Sequence, residues 1–314
     1  MAALQTVLQS NANIARLPSG IVALFVGATS GIGQSTLQHV PAPHIYSVAH
    51  PQTVAAHETH LASLSKSNPT ATFTLITADV SLVSEIDKIV AAITQKETKL
   101  DILVWSDTRE GLEPSMSTRY YSPLRAVQQL LPLLNAAPIP RVISVLAGGH
   151  EAQISKAELD LRDSANWSYW NAAVHAATMC TLSLERLAHG NPGLSVVHWH
   201  PGAVATPGLA KWDKYSLTPP NQRSQDEAGV RGVFLATSDQ YAVQSGPVLV
   251  PGGLGGVNKS GGGIFLVDAD GESIDNEGVL AGFRERGVDE VVWSHTEKVW
   301  AECAARAGRP KDEL

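Results

Sequence analysis

Seven short apolar runs alternate along this chain with longer segments in which apolar residues recur every three or four positions. The runs are 21–26, 44–49 (His-Ile-Tyr-Ser-Val-Ala), 72–78, 101–105, 140–146, 194–199 and 263–268. The helical patterns fall near 31–40, 52–66, 82–98, 118–135, 165–189 and 226–240. Short strands separated by helices of this length predict a parallel sheet, because a parallel pairing needs a crossover connection. The expected fold class is α/β, a doubly wound parallel sheet of about seven strands with helices on both faces. In such sheets ligands sit beyond the C-terminal strand ends.

Three segments depart from the alternation. Residues 203–225 follow the sixth strand and are rich in Pro, Ser, Asp and Gln, the kind of long connection that lids a site. Residues 242–263 are dense in glycine, including Gly252, Gly253, Gly255 and Gly256, and read as a flexible excursion before the last strand. The segment 276–307 reads as helix, with Trp293 and Trp300 on a packing face. The expected organisation is one domain over 1–314. It has a core at about 20–270, an N-terminal helix within 1–19 and a C-terminal helical tail over 272–314.

The first strand breaks into a glycine-rich turn, Gly27-Ala28-Thr29-Ser30-Gly31-Ile32-Gly33, which opens directly into a helical pattern. Glycine allows a sharp turn and a close backbone approach. The free N–H groups and positive dipole end of the following helix suit a pyrophosphate. The order strand, turn, helix favours a nucleotide cradle over a turn that binds nothing, and makes the expected sheet Rossmann-like.

Composition narrows the partners. Of 314 residues, 44% are hydrophobic and 17% charged, which suits a globular core. A net charge of −7 argues against nucleic acid or an anionic membrane surface, and no apolar run is long enough to span a bilayer. The two cysteines, Cys180 and Cys303, give no disulfide framework and suit a reducing, cytoplasmic setting. The N-terminus lacks a basic start and does not read as a secretory signal. The C-terminal Lys311-Asp312-Glu313-Leu314 has the form of a retrieval signal that works only in the lumen of the endoplasmic reticulum. With no visible means of entry, chance is the favoured reading.

The spacing Gly-x-x-x-Gly-x-Gly resembles the nucleotide-binding turn of the short-chain dehydrogenase/reductase family, and further matches follow in order over about 20–270. Asp79 in Ala-Asp-Val-Ser stands where the family's aspartate meets the adenine. Leu130-Leu131-Pro132-Leu133-Leu134 matches a common helix end. Pro201-Gly202-Ala203-Val204-Ala205-Thr206 matches the family's segment at the nicotinamide end. Tyr120-Tyr121-Ser122, Ser144-Val145-Leu146-Ala147-Gly148-Gly149, Phe234-Leu235-Ala236-Thr237-Ser238 and Val267-Asp268-Ala269-Asp270-Gly271-Glu272 resemble a divergent fungal branch encoded with natural-product pathways. The resemblance implies cofactor contacts at Gly27, Thr29, Ser30, Gly31, Ile32, Gly33, His50, Asp79, Val80, Ser106, Pro201, Gly202 and Thr206. His50 stands where a basic residue would meet a 2′-phosphate, and no acidic residue is there to grip a ribose hydroxyl. NADP(H) is therefore the expected cofactor. The substrate expected is a small hydrophobic molecule. The family often pairs through its fourth and fifth helices, which makes a homodimer the assembly to consider, although the long tail could cover that surface.

The family's catalytic residues are missing. Its Ser, Tyr, Lys and upstream Asn positions align with Ala147, Asn171, His175 and Arg119. The family's Asn-Asn-Ala-Gly after strand four is Trp105-Ser106-Asp107-Thr108, which adds bulk and a negative charge near the adenosine. His175 has a side chain suited to proton transfer at neutral pH. With Asn171 one turn earlier, Ser168 on the same face, and His150 from the loop after strand five, it could build a general acid/base site. Its bland reading is a helix residue packed on the sheet. Tyr169 would serve only if the helix began later or were distorted. Tyr120 and Tyr121 border the same expected cleft, Tyr120 as a candidate donor, with aromatic packing the equal alternative. His198 and His200 share a strand face, but no carboxylate stands at a ligand-like spacing, so no metal is expected. Three functions compete: an NADP-linked reductase or dehydrogenase with a rearranged proton relay, a non-redox isomerase, dehydratase or cyclase, and a non-catalytic nucleotide-binding protein.

Overall fold

The computed structural model describes residues 3–14, 20–40, 43–105, 116–161, 163, 165–210, 218–243 and 257–307. The seven strands are β1 (Val22–Val26), β2 (His44–Ala49), β3 (Thr72–Thr77), β4 (Ile102–Trp105), β5 (Arg141–Val145), β6 (Ser195–Trp199) and β7 (Phe265–Val267). They form one sheet in the order β3-β2-β1-β4-β5-β6-β7, with every pairing parallel. All C-terminal strand ends therefore lie along one edge, and the strand order reverses between β1 and β4.

Central strands are covered on both faces and read as unbroken apolar runs, as parallel strands do. All five residues of β1 are buried. β3, at the sheet's edge, alternates Thr and apolar residues and stays half exposed. The helices are α1 (Leu4–Ala12), α2 (Gly31–His39), α3 (Val54–Ser67), α4 (Val83–Thr94), α5 (Ser122–Ala136), α6 (Tyr169–Gly190), α7 (Gln225–Thr237), α8 (Glu277–Glu285) and α9 (Val288–Ala307). One face of the sheet carries α4, α5, α6, α8 and α9, with Ile86, Leu124, Met179 and Phe283 in its core. The other carries α1, α2, α3 and α7, with Val7, Leu37, Leu61 and Val233. Among the described residues no helix is long and apolar enough to cross a membrane.

Three helical segments differ from the pattern read in the sequence. The expected helix 118–135 is a π-helical turn, Ser117–Tyr121, running into α5. Pro123 has no N–H to give the carbonyl four residues back, so the ladder widens there. The expected start at 165 moves to Tyr169, because Ser168 is extended (φ −145°, ψ 160°) and its Oγ accepts the Asn171 N–H at 3.1 Å as an N-cap. The tail is two helices, broken at Gly287 (φ +61°). Its α9 lies across α4 and α6, with Trp293 and Trp300 both buried and packed edge to face at 5.8 Å.

Candidate active site

The glycine turn sits at the C-terminal end of β1, beside the reversal in strand order. Gly27 (φ +81°) and Gly31 (φ +62°) hold backbone conformations that side chains resist. A Cβ on Gly33 would lie 2.4 Å from the Gly27 carbonyl oxygen, so only glycine lets α2 start this close to the strand. Ser30 precedes α2 in extended conformation, and its side chain makes no capping hydrogen bond. The first N–H groups of α2 are left for a ligand.

Two further segments converge on this turn. Thr206 approaches Gly31, where a Cβ would meet its Cγ2 at 3.3 Å. Thr206 Oγ1 accepts the Leu209 N–H at 3.1 Å, which fixes its rotamer. Beyond β2, His50 Nε2 lies 3.3 Å from Asp79 Oδ2, each side chain about one-third exposed. Asp79 Oδ1 accepts from the Ser81 backbone and hydroxyl. Val80 is buried beside it. Pro201 is buried, and Gly202 turns with φ +70° against the Ala269 methyl. Thr29 and Ile32 are half-buried in the turn. Ser106, together with Asp107 and Thr108, lies outside the described residues.

The four residues singled out for catalysis are not brought together. Ser168 and Asn171 stand at the start of α6, where Asn171 is exposed and its Nδ2 donates to the Asn166 carbonyl at 2.9 Å. His175, one turn on, is buried, and its Nε2 accepts the Ser155 N–H at 3.3 Å. Burial holds its pKa below the usual histidine value, against opposing pulls from the Leu159 carbonyl and Glu158. Tyr120 does not border a cleft. It is fully buried, and its hydroxyl meets Ser183 Oγ at 2.8 Å and Thr296 Oγ1 at 2.6 Å. Ser183 is eight residues beyond His175, about 12 Å along the helix. Desolvation pushes the Tyr120 pKa well above its ordinary value, which suits packing and not proton transfer. Tyr121 is likewise buried, with its hydroxyl 2.8 Å from His295 Nε2 on α9. The reason in both cases is α9, which covers this surface. The Tyr169 side chain lies outside what is described.

The ends of β5 and β6 hold a polar group that spacing did not reveal. The rings of His150 and His200 pack with centroids 4.1 Å apart, tilted by 59°. Behind them His198 Nδ1 is 2.8 Å from Thr181 Oγ1, which donates to Glu151 Oε1 at 2.5 Å. Asn276 Nδ2 donates to Glu151 Oε2 at 2.7 Å and the Gly149 N–H to Oε1 at 3.0 Å. In the sequence, the same-face spacing of His198 and His200 and the place of His150 after strand five hinted at its members, though not at their meeting. No group of three or more metal-ligating side chains occurs among the described residues.

A parallel sheet with a glycine cradle at its reversal and polar residues along one edge is the frame of a nucleotide-binding oxidoreductase. The chain belongs to the short-chain dehydrogenase/reductase family, whose model, described as short chain dehydrogenase, matches residues 21–216. Within it the chain sits among fungal oxidoreductases. It is 58% identical to "NmrA-like family domain-containing oxidoreductase notO" of Aspergillus sp. (strain MF297-2), covering 100% of both chains. It is 36% identical to "Oxidoreductase AN1596" of Emericella nidulans, over 98% of this chain and 100% of that one. The fold is also that of L-sorbose reductase from Gluconobacter frateurii, solved with NADPH and L-sorbose. There the TM-score is 0.55 at 21% identity, over 76% of this chain and 97% of that one.

Proposed function

We propose that the protein is an NADP(H)-dependent reductase or dehydrogenase acting on a carbonyl or hydroxyl of a hydrophobic polyketide or terpenoid intermediate in fungal secondary metabolism. The observation that carries this reading is the cradle at Gly27–Gly33, with two positive-φ glycines and an uncapped helix N-terminus. The residues present fit a dinucleotide. The α2 N–H groups would hold the pyrophosphate, His50 the 2′-phosphate, and Asp79 and Val80 the adenine. Pro201, Gly202 and Thr206 would hold the nicotinamide end, with Ser106 a further expected contact. When bound, the dihydronicotinamide supplies the hydride. The chain's own part is to orient the substrate and to deliver a proton to its oxygen. Relatives named as oxidoreductases and a structural neighbour solved with NADPH support the same reading. Calorimetry of the purified protein tests it: NADPH should bind more tightly than NADH. No binding heat up to millimolar NADPH overturns it.

A second reading, a non-redox isomerase, dehydratase or cyclase, draws on Arg119, Ala147, Asn171 and His175 at the family's catalytic positions. Product formed with no net oxidation of NADPH would select it. The third, nucleotide binding without catalysis, requires that His175→Ala and Asn171→Ala leave cellular function intact. The cytoplasm is the setting we assign. A homodimer, if formed, must use a surface other than the α5–α6 face that α9 occupies in part.

A further inference from the structure

We propose that His150 and His200 are the acid–base pair of this site, and that Glu151, Thr181 and His198 form the chain that positions them. The proposal rests on the NADP(H)-dependent reading above and gives it the proton donor that Ala147, Asn171 and His175 do not supply.

The two rings stand where the chemistry would be. His150 is exposed on the loop leaving β5, and His200 immediately precedes Pro201 and Gly202. Their contact at 4.1 Å couples them, so a proton on one disfavours a proton on the other. His200 is held by the strand: its N–H donates to the Val267 carbonyl at 2.8 Å. Its Nδ1 is buried and finds no hydrogen-bond partner among the described residues. Facing it are His150 and the Leu146 carbonyl from the β5 side, Asp268 from the end of β7, and His198 from its own strand. Burial and His150 lower its pKa, while Leu146 and Asp268 raise it. Burial and the facing His150 thus favour the neutral His200 ring, which at neutral pH can accept a proton.

The chain behind the pair is internally determined. The single hydroxyl proton of Thr181 goes to Glu151, so its oxygen must accept from His198 Nδ1–H. That fixes the His198 tautomer and leaves Nε2 as a lone-pair acceptor. This Nε2 is fully buried and has no hydrogen-bond partner among the described residues. His198 and His200 are two apart on one strand and share a face. Glu151 acts twice. It is the neighbour of His150 in the chain and pins that loop through the Gly149 N–H and Asn276, while its charge reaches His198 through Thr181. Gly148 lets the loop lie on His198, since a Cβ there would be 2.1 Å from the His198 carbonyl oxygen.

In the direction of reduction, bound NADPH would supply a hydride to the carbonyl carbon and become NADP+, and the π pair would move to the oxygen. The oxygen would take its proton from the His150 ring and become a hydroxyl. His150 then regains that proton from solvent.

Histidine Cε1–H resonances of the full-length protein test the proposal, titrated with and without NADPH. His150→Gln should raise the His200 midpoint. NADPH should move the His150 and His200 signals and leave exposed His189 unmoved. With 9,10-phenanthrenequinone as probe carbonyl, His150→Gln should cut kcat at least ~100-fold, the range of a lost acid–base group, with the NADPH Kd unchanged. Glu151→Gln should shift the pH profile of kcat while the fold, read by circular dichroism, is kept. Independent titration of the two rings, or no response of either to NADPH, overturns the pair. So do equal quinone rates in wild type and His150→Gln, zero included. A wild type that binds no NADPH overturns instead the cofactor reading, whatever the rings show.

Discussion

Arg223 Nη2 lies 2.8 Å from Asp270 Oδ1, and the same guanidinium donates to the Ala269 carbonyl. Arg223 also closes the stem of the 203–225 segment, exchanging backbone hydrogen bonds with Ala203 and Ala205. The turn after β7 therefore anchors the segment that carries Thr206 to the glycine cradle. Asp268 makes that turn rigid, its Oδ1 accepting from the Asp270 and Glu272 N–H groups. Asp270→Asn should cost about 1–2 kcal/mol of stability, the range for a partly buried charged hydrogen bond. It should also weaken NADPH binding. A double-mutant cycle with Arg223→Lys, read by urea unfolding and calorimetry, should show coupling in both; additive losses would show that the contact does no anchoring.

Gly33→Ala tests the cradle itself. The new methyl would sit 2.4 Å from the Gly27 carbonyl oxygen, and that oxygen belongs to backbone that cannot swing aside. Overpacking of this kind costs about 1–3 kcal/mol, and NADPH binding should be lost while the secondary structure persists. Calorimetry with circular dichroism separates the two effects.

His50 faces Asp79, so a 2′-phosphate bound there would compete with that carboxylate for the imidazole. His50→Asp places two carboxylates side by side and should shift the NADPH-to-NADH affinity ratio at least ~10-fold toward NADH, a change of about 1.4 kcal/mol. Asp79→Asn should move the ratio the other way. Paired Kd measurements decide both.

Tyr120→Phe should leave turnover unchanged and lower stability by about 1–2 kcal/mol, because the buried Ser183 hydroxyl loses its Tyr120 partner while Thr296 keeps its bond to the Val292 carbonyl. A kinetic loss without a stability loss would return Tyr120 to the catalytic set.

Three buried histidines set an acid limit. Desolvation lowers the pKa of His57, His175 and His198, the last to about 4. A histidine whose folded pKa lies below 6.5 is neutral in the fold and gains its proton more readily when unfolded. Stability is therefore full above about pH 6.5 and falls as pH drops toward 4. A tenfold difference in proton affinity between the folded and unfolded chain is worth about 1.4 kcal/mol. His198→Gln should flatten that decline in urea titrations run across the window.

Local chemistry made the strands and the glycine turn legible in sequence. A strand buried on both faces must be apolar throughout, and a chain that turns at positive φ needs glycine, so β1 and Gly27–Gly33 announce themselves. Gly27, His50 and Asp79 could be singled out as candidate cofactor contacts because each lies just past a strand end. Tyr120 was not legible in this way. Its position on a π-helical turn and its cover by α9, 176 residues away at Thr296, depend on which helix lands where. The packing of His150 on His200 was equally hidden, because β5 and β6 are joined by the whole of α6 and become neighbours only in the finished sheet.

The sequence by itself determined a doubly wound sheet and a glycine turn at the end of its first strand. Each of these is a property of a residue and its near neighbours. The tertiary structure alone decided which polar groups share a site. It set Tyr120 in the core, Arg223 against Asp270, and the chain from Glu151 through Thr181 to His198 beneath the histidine pair. Those contacts join segments distant in the chain, and burial away from competing water gives them their strength.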